Sequence, residues 1–226
     1  MNRVHALCRP GHRAFGAMVL ALVPAIASAP AAAAGAAEEG DWTFRVFLDD
    51  KPIGEHRFQV RTLAGQTRVS SDARFDVSFL GITAYRYRHQ ASESWRGGCL
   101  VQLTASTDDD GTTSQVRWQS PGDRVAIDIA AGAEAVDGCL MSFAYWHPAL
   151  RAQKRLLNAQ TGQVEAVQVV RLPETRVQVR GGTMTAVGLR VSGATRPVDV
   201  WYSADGDWIG LDAVVGGGRR LSYRLP

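Results

Sequence analysis

TRVSSDARFDVSFLGITAYRYRHQASESW, residues 67–95, alternates apolar and polar side chains on both sides of a Leu80-Gly81-Ile82 link. In its first half Val69, Ala73, Phe75, Val77 and Phe79 fall on one side of an extended chain, and Arg68, Asp72, Arg74, Asp76 and Ser78 on the other. In its second half Tyr85, Tyr87, His89, Ala91, Glu93 and Trp95 share a side opposite Arg86, Arg88, Gln90, Ser92 and Ser94. A period of two with one apolar side is the pattern of a half-buried β-strand. Two long antiparallel strands are expected here, with the aromatic side turned inward.

The same rhythm extends outward in both directions. Strands are expected at 42–48, 53–63, 67–79, 83–95, 100–107, 112–119 and 124–129, and again at 164–170, 175–180, 184–192, 198–203, 208–215 and 219–225. The links carry Gly, Pro, Asp and Asn and are short, which implies antiparallel neighbours. Only residues 141–161 break the pattern, with Phe143, Tyr145, Trp146 and His147 ahead of Pro148, where a short helix is expected to begin. The fold class that follows is all-β: a single strongly curved antiparallel sheet or an open β-barrel of about 12 strands.

The N-terminal 37 residues read differently. Arg3, Arg9 and Arg13 precede an apolar run over 14–29 and an Ala-rich tract ending at Ala37, the layout of a cleavable export signal. The run is short of the roughly 20 residues that span a bilayer, so no transmembrane anchor is expected in the mature chain, and Cys8 precedes the run rather than following it as a lipidated cysteine would. The expected organisation is a signal over 1–37 and one all-β domain over 38–226, working in the periplasm. The net charge of +3 belongs wholly to the three signal arginines; residues after 37 carry 22 acidic and 22 basic side chains. No nucleic-acid footprint remains.

Cys99 and Cys139 enter an oxidising compartment on this reading and are expected to form a disulfide. The remaining histidines, His56, His89 and His147, have no second histidine at metal spacing, and no nucleophile elbow, phosphate loop or dinucleotide fingerprint occurs. No catalytic residue, metal or cofactor is therefore assigned. Asp108, Asp109, Asp110 and Gly111 read as a solvated hairpin turn rather than a calcium loop. His89 and Glu93 stand on the inward side about 13 Å apart along an extended strand. The expected ligand-binding lining is Tyr85, Tyr87, His89, Glu93 and Trp95, joined by Tyr145 and Trp146 from the irregular segment.

The run from Phe75 to Trp95, then Gly98-Cys99-Leu100, Phe143-Ala144-Tyr145-Trp146, residues 156–162, Trp201-Tyr202-Ser203, Trp208 and residues 219–225 resemble a family of exported proteobacterial proteins of unknown function. The likeness covers nearly the whole mature chain and implies no reaction. The family's usual residue at His147 looks like asparagine. A looser likeness, at the level of fold, is to periplasmic half-barrels that carry lipid or lipoprotein acyl chains.

Three functions follow in order of preference. The first is a non-catalytic periplasmic carrier for a hydrophobic or amphiphilic molecule. The second is an interaction protein in an envelope assembly, with an envelope protein as partner. The third is an envelope hydrolase or isomerase using His89 and Glu93.

Overall fold

A computed structural model describes residues 39–79, 82–120, 138–193 and 196–226. Every described residue lies in one compact unit, 33–226. The expected signal and the expected strand at 124–129 lie outside the described residues, as does most of the Leu80-Gly81-Ile82 link.

Alternation builds the strands. In β1 (Gly40–Leu48) Trp42, Phe44, Val46 and Leu48 are buried while Asp41, Thr43 and Arg45 are exposed. The same pattern runs through β2 (Lys51–Leu63), β3 (Gln66–Phe79), β4 (Ile82–Arg96), β5 (Cys99–Asp109) and β6 (Thr112–Gln119). Two-residue loops join most of them. Asp49-Asp50, Ala64-Gly65, Gly97-Gly98, Asp110-Gly111 and Arg180-Gly181 each place both residues at positive φ, between 49° and 90°. That backbone matches the right-handed twist of the flanking strands and so fixes antiparallel register.

The second half comprises β7 (Met141–Ser142), β8 (Arg155–Leu157), β9 (Val164–Val179), β10 (Gly182–Gly193), β11 (Val198–Tyr202), β12 (Trp208–Val214) and β13 (Arg220–Arg224). All thirteen strands form one sheet in the order β6-β5-β4-β3-β2-β1-β13-β12-β11-β10-β9-β8-β7. Every pairing is antiparallel except β7 with β8. The sheet is thus two meanders joined where β1 pairs with β13. Among the described residues no ladder closes it, but residues 138–162 reach back to the far half. Leu100 N donates to Leu140 O at 2.8 Å, and Ser114 Oγ donates to Gln160 O at 3.2 Å. The expected bridge is present between Cys99 and Cys139, whose Cα atoms are 5.1 Å apart.

Three features differ from the sequence expectation. Residues 164–170 and 175–180 belong to one strand, β9, because Pro173, which has no N–H to donate, falls at a bulge opposite Ala186 to Gly188. The helix expected at Pro148 is a 3-10 turn over Pro148–Ala152, capped by His147 Nδ1 accepting from Ala149 N at 3.1 Å. Within the expected irregular segment, β7 and β8 are too short to carry a period.

One core lies between the two meanders. Trp208 sits at its centre, with ring centroids 4.5 Å from Phe44, 4.9 Å from Phe58 and 5.8 Å from Tyr145. Leu140, Met141, Ala144, Trp146, Leu150, Leu156 and Leu157 join it from the irregular segment. A smaller cluster forms on the opposite face, where Val177, Val179 and Ala186 of the β9–β10 hairpin cover Trp201 and Ile209. Neighbouring Val200 and Trp201 therefore bury themselves on opposite sides of one strand.

Candidate ligand-binding groove

The expected lining residues do share the inner face, and each is satisfied there by a protein neighbour. Tyr87 is half-buried and stacked on Phe75, centroids 5.3 Å apart. Tyr85 donates its hydroxyl to Asp109 at 2.6 Å. His89 is buried with Nδ1 2.9 Å from Thr107 Oγ1, and burial lowers its pKa. Glu93 Oε2 accepts from Trp95 Nε1 at 2.8 Å and from Ser142 Oγ at 3.1 Å. Burial pushes its carboxyl up to about 7 despite those two donors. Trp95 and Trp146, only 1% and 3% exposed, meet edge to face at 5.5 Å, so both are core. Tyr145 lies apart from them against Trp208, its carbonyl accepting from Tyr202 Oη at 2.8 Å. The structure gives His89 and Glu93 separate partners.

His56, to which the sequence assigned no role, lies 2.7 Å from Ser71 Oγ through Nε2 and 3.3 Å from Tyr223 Oη through Nδ1. The pair has the residue types of a nucleophile and its base. Desolvation, aided by nearby His89, lowers the imidazole to about 3, far too weak a base for that work at neutral pH. It reads as a satisfied core contact.

Open space lies on the other side of the sheet. A groove of about 810 Å3 crosses β1 to β6 on their polar face. Its residues fall into three cross-strand rows. The floor is the backbone of Trp42, Phe58, Ser71, Ala91, Ala105 and Val116, which stand directly opposite one another in successive strands and turn their side chains to the core face. One wall is Thr43, Arg57, Asp72, Gln90, Ser106 and Gln115. The other is Asp41, Gln59, Ser70, Ser92, Thr104 and Arg117, with Arg74 adding to the rim. Six strands give a length of roughly 24 Å, and two residues along a strand set the walls about 7 Å apart. The volume is that of a small-molecule site.

Most charges along the walls are already paired. Arg74 donates through Nε and Nη2 to the two oxygens of Asp72 at 2.8 and 2.9 Å, and Gln90 Nε2 adds a third bond at 2.9 Å. Those bonds, Arg74 foremost, hold the Asp72 carboxyl below the usual carboxylate range. Arg57 donates to Glu55 at 2.8 Å, and Asp41 is engaged by Arg61. Arg117 has no ionic or hydrogen-bond partner among the described residues. What remains is an array of hydroxyls, amides and one unpaired guanidinium. Such a surface binds by hydrogen bonding.

Residues 44–226 match the family DUF6134, Domain of unknown function. The chain belongs to DUF6134. The match takes in all of the groove except its Asp41 to Thr43 end, and the expected membership of a family without an assigned function holds. Among solved structures, this DUF6134 chain is similar to a beta-barrel-like protein of the domain of unknown function DUF1849 from Brucella abortus. Identity is 12%, covering 82% of this chain and 94% of that chain, with a TM-score of 0.52, so the likeness speaks for the fold alone. No curated protein matches the chain.

Proposed function

We propose that this DUF6134 protein is an exported, non-catalytic binding protein of the cell envelope that holds an extended polar ligand in the groove across β1 to β6. The groove itself carries the reading: two in-register rows of polar side chains border an open groove of ligand size with a backbone floor. Export is supported by the basic start, short apolar run and small-residue tract of residues 1–37, and the Cys99–Cys139 bridge suits an oxidising compartment. Exposed large apolar residues such as Leu63, Ile82 and Val214 are scattered along the chain, which gives an assembly surface less support.

A second reading keeps an amphiphilic guest on the aromatic inner face. Tyr87 is half-buried on Phe75, and Val77 and Tyr85 beside it are also half-buried, which would give an acyl chain a place to start. The looser likeness to acyl-carrying half-barrels supports this by analogy only. The two readings separate in one NMR experiment, with a low-molecular-weight extract of the envelope added to labelled protein. Shifts in the amides of Ser71, Ala91, Ala105 and Val116 that vanish in Ser92→Tyr are the expected outcome. Shifts centred on Phe75 and Tyr87 that survive Ser92→Tyr would transfer the ligand to the inner face, and a silent spectrum would sink both.

A further inference from the structure

We infer that the occupant of the groove is a linear β-linked glycan carrying a carboxylate, held with its acidic group at Arg117. This rests on the groove being the binding site and adds the class of ligand. The first argument is spacing. The walls run across the strands, so equivalent positions repeat at the strand separation of about 4.8 Å. That is close to the advance of one sugar ring in an extended β-linked chain. An extended peptide rises about 3.3 Å per residue, so its residues fall between successive strands and only every third one comes back into step, at every second strand.

The second argument is chemistry. Gln115 offers both a donor and an acceptor, Gln59 and Gln90 keep amide bonding capacity beyond their contacts with Ser70 and Asp72, and Ser92 and Thr104 add hydroxyls. Paired donor and acceptor groups suit the adjacent hydroxyls of a sugar ring. The floor is strand backbone whose larger side chains, Trp42, Phe58 and Val116, belong to the core on the other face, so a lipid tail would meet an open strip between polar rows rather than a slot between apolar side chains.

The third argument is charge. Arg57, Arg74, Asp41 and Asp72 are neutralised by partners inside the protein, leaving Arg117 at the β6 end. One open guanidinium is complemented by one carboxylate, which it can grip with two parallel hydrogen bonds. The site lacks the free carboxyl pair that glycoside hydrolysis uses, because Asp72 is held by Arg74 and Gln90 and Asp41 by Arg61, so the proposed role is to hold the chain.

The test is titration calorimetry of the oxidised protein with three probes: a β-1,4-linked hexamannuronate, the neutral cellohexaose, and an alternating Ser-Glu peptide of matching length. The acidic glycan should bind about tenfold more tightly than the neutral one, the gain expected of one charge-assisted contact. Arg117→Ala should bring the two to equal affinity, and Ser92→Tyr should abolish both. Both side chains are exposed, so neither substitution disturbs the core. Equal binding of the two glycans by the unaltered protein overturns the carboxylate. Tighter binding of the peptide, abolished by Ser92→Tyr, overturns the glycan while the groove survives as the site. Binding of none of the probes overturns the glycan as well. The groove itself falls only if the envelope extract also leaves the Ser71, Ala91, Ala105 and Val116 amides unmoved.

Discussion

Glu93 turns its carboxyl toward the core with two neutral donors and, among the described residues, no cation beside it, and the consequence is a definite dependence of stability on pH. Its folded pKa is raised from 4.5 to about 7. The folded state therefore holds the proton more tightly than the unfolded chain does. The stability tied to that proton is complete below about 4.5 and is lost as pH rises through 7, a change on the order of 3 kcal/mol. His56 acts in the opposite sense. Its pKa is lowered to about 3, so its contribution is full above 6.5 and declines as acid forces a charge into the core. Comparing Glu93→Gln with the unaltered protein isolates the glutamate. Urea unfolding should show the variant gaining relative stability between pH 5 and pH 8, and a difference that stays flat over that range would mean Glu93 is solvated. Two glycines make a second test at this scale. A Cβ at Gly54 would lie 1.9 Å from the carbonyl oxygen of Arg74, and one at Gly188 would lie 2.5 Å from the ring of Trp201. Backbone in a paired strand cannot retreat, whereas an indole can shift. Gly54→Ala should cost about 3 kcal/mol or more and Gly188→Ala about 1–3 kcal/mol, read from urea midpoints. The reverse order would show that β2 and β3 yield more readily than the core around Trp201.

At the scale of the elements, the two-residue loops set register, and one of them is poorly furnished. Ala64 holds φ at 51° ahead of Gly65, in a loop that favours Asn-Gly. Ala64→Asn should raise stability by about 0.5–1 kcal/mol, visible as a higher thermal midpoint, because the left-handed conformation is costly for alanine. No change would mean that the loop relaxes the strain elsewhere. The strands these loops connect were legible in the sequence to within a residue or two from β1 to β6, because each buries one face and alternation reports burial directly. Pro173 misled in β9, since a missing N–H reads locally as a break, and only the register shift that sets Pro173 and Glu174 against the single Val187 of β10 shows how the ladder absorbs it. The strands β7 and β8 were invisible because two or three residues carry no period and their parallel pairing is made by tertiary contact. The groove was half visible. Its side chains are the polar half of the same alternation, but alignment of six such rows into a channel depends on register and curvature across the sheet, which no local pattern encodes.

At the scale of the whole molecule, a sheet whose thirteen described strands are closed by no ladder among the described residues has to secure its two ends. The end of β4 and start of β5 are instead tied to the chain entering β7 by the Cys99–Cys139 bridge and the Leu100 to Leu140 hydrogen bond. Next to that tie Trp95 packs on Trp146, and Glu93 accepts from Ser142. The bridge closes a loop of sequence separation 40, and on the chain-entropy account its loss should cost roughly 4 kcal/mol. The cost should also be local in the folded state. The joined strands β1 to β6 with β11 to β13 keep their ladders, whereas residues 138–157 meet the β4–β5 end through the bridge and a few packing and hydrogen-bond contacts, among them Trp95 stacked on His147 at 5.9 Å. Replacing both cysteines with serine should therefore lower the urea midpoint and, before global unfolding, expose Trp146 to a water-soluble fluorescence quencher. The groove lies on the opposite face of β1 to β6, so ligand titration of the same variant should be unchanged below its unfolding transition. A double variant that loses binding while its tryptophans stay shielded would show that the two faces of the sheet are mechanically coupled, and that the irregular segment shapes the groove from behind.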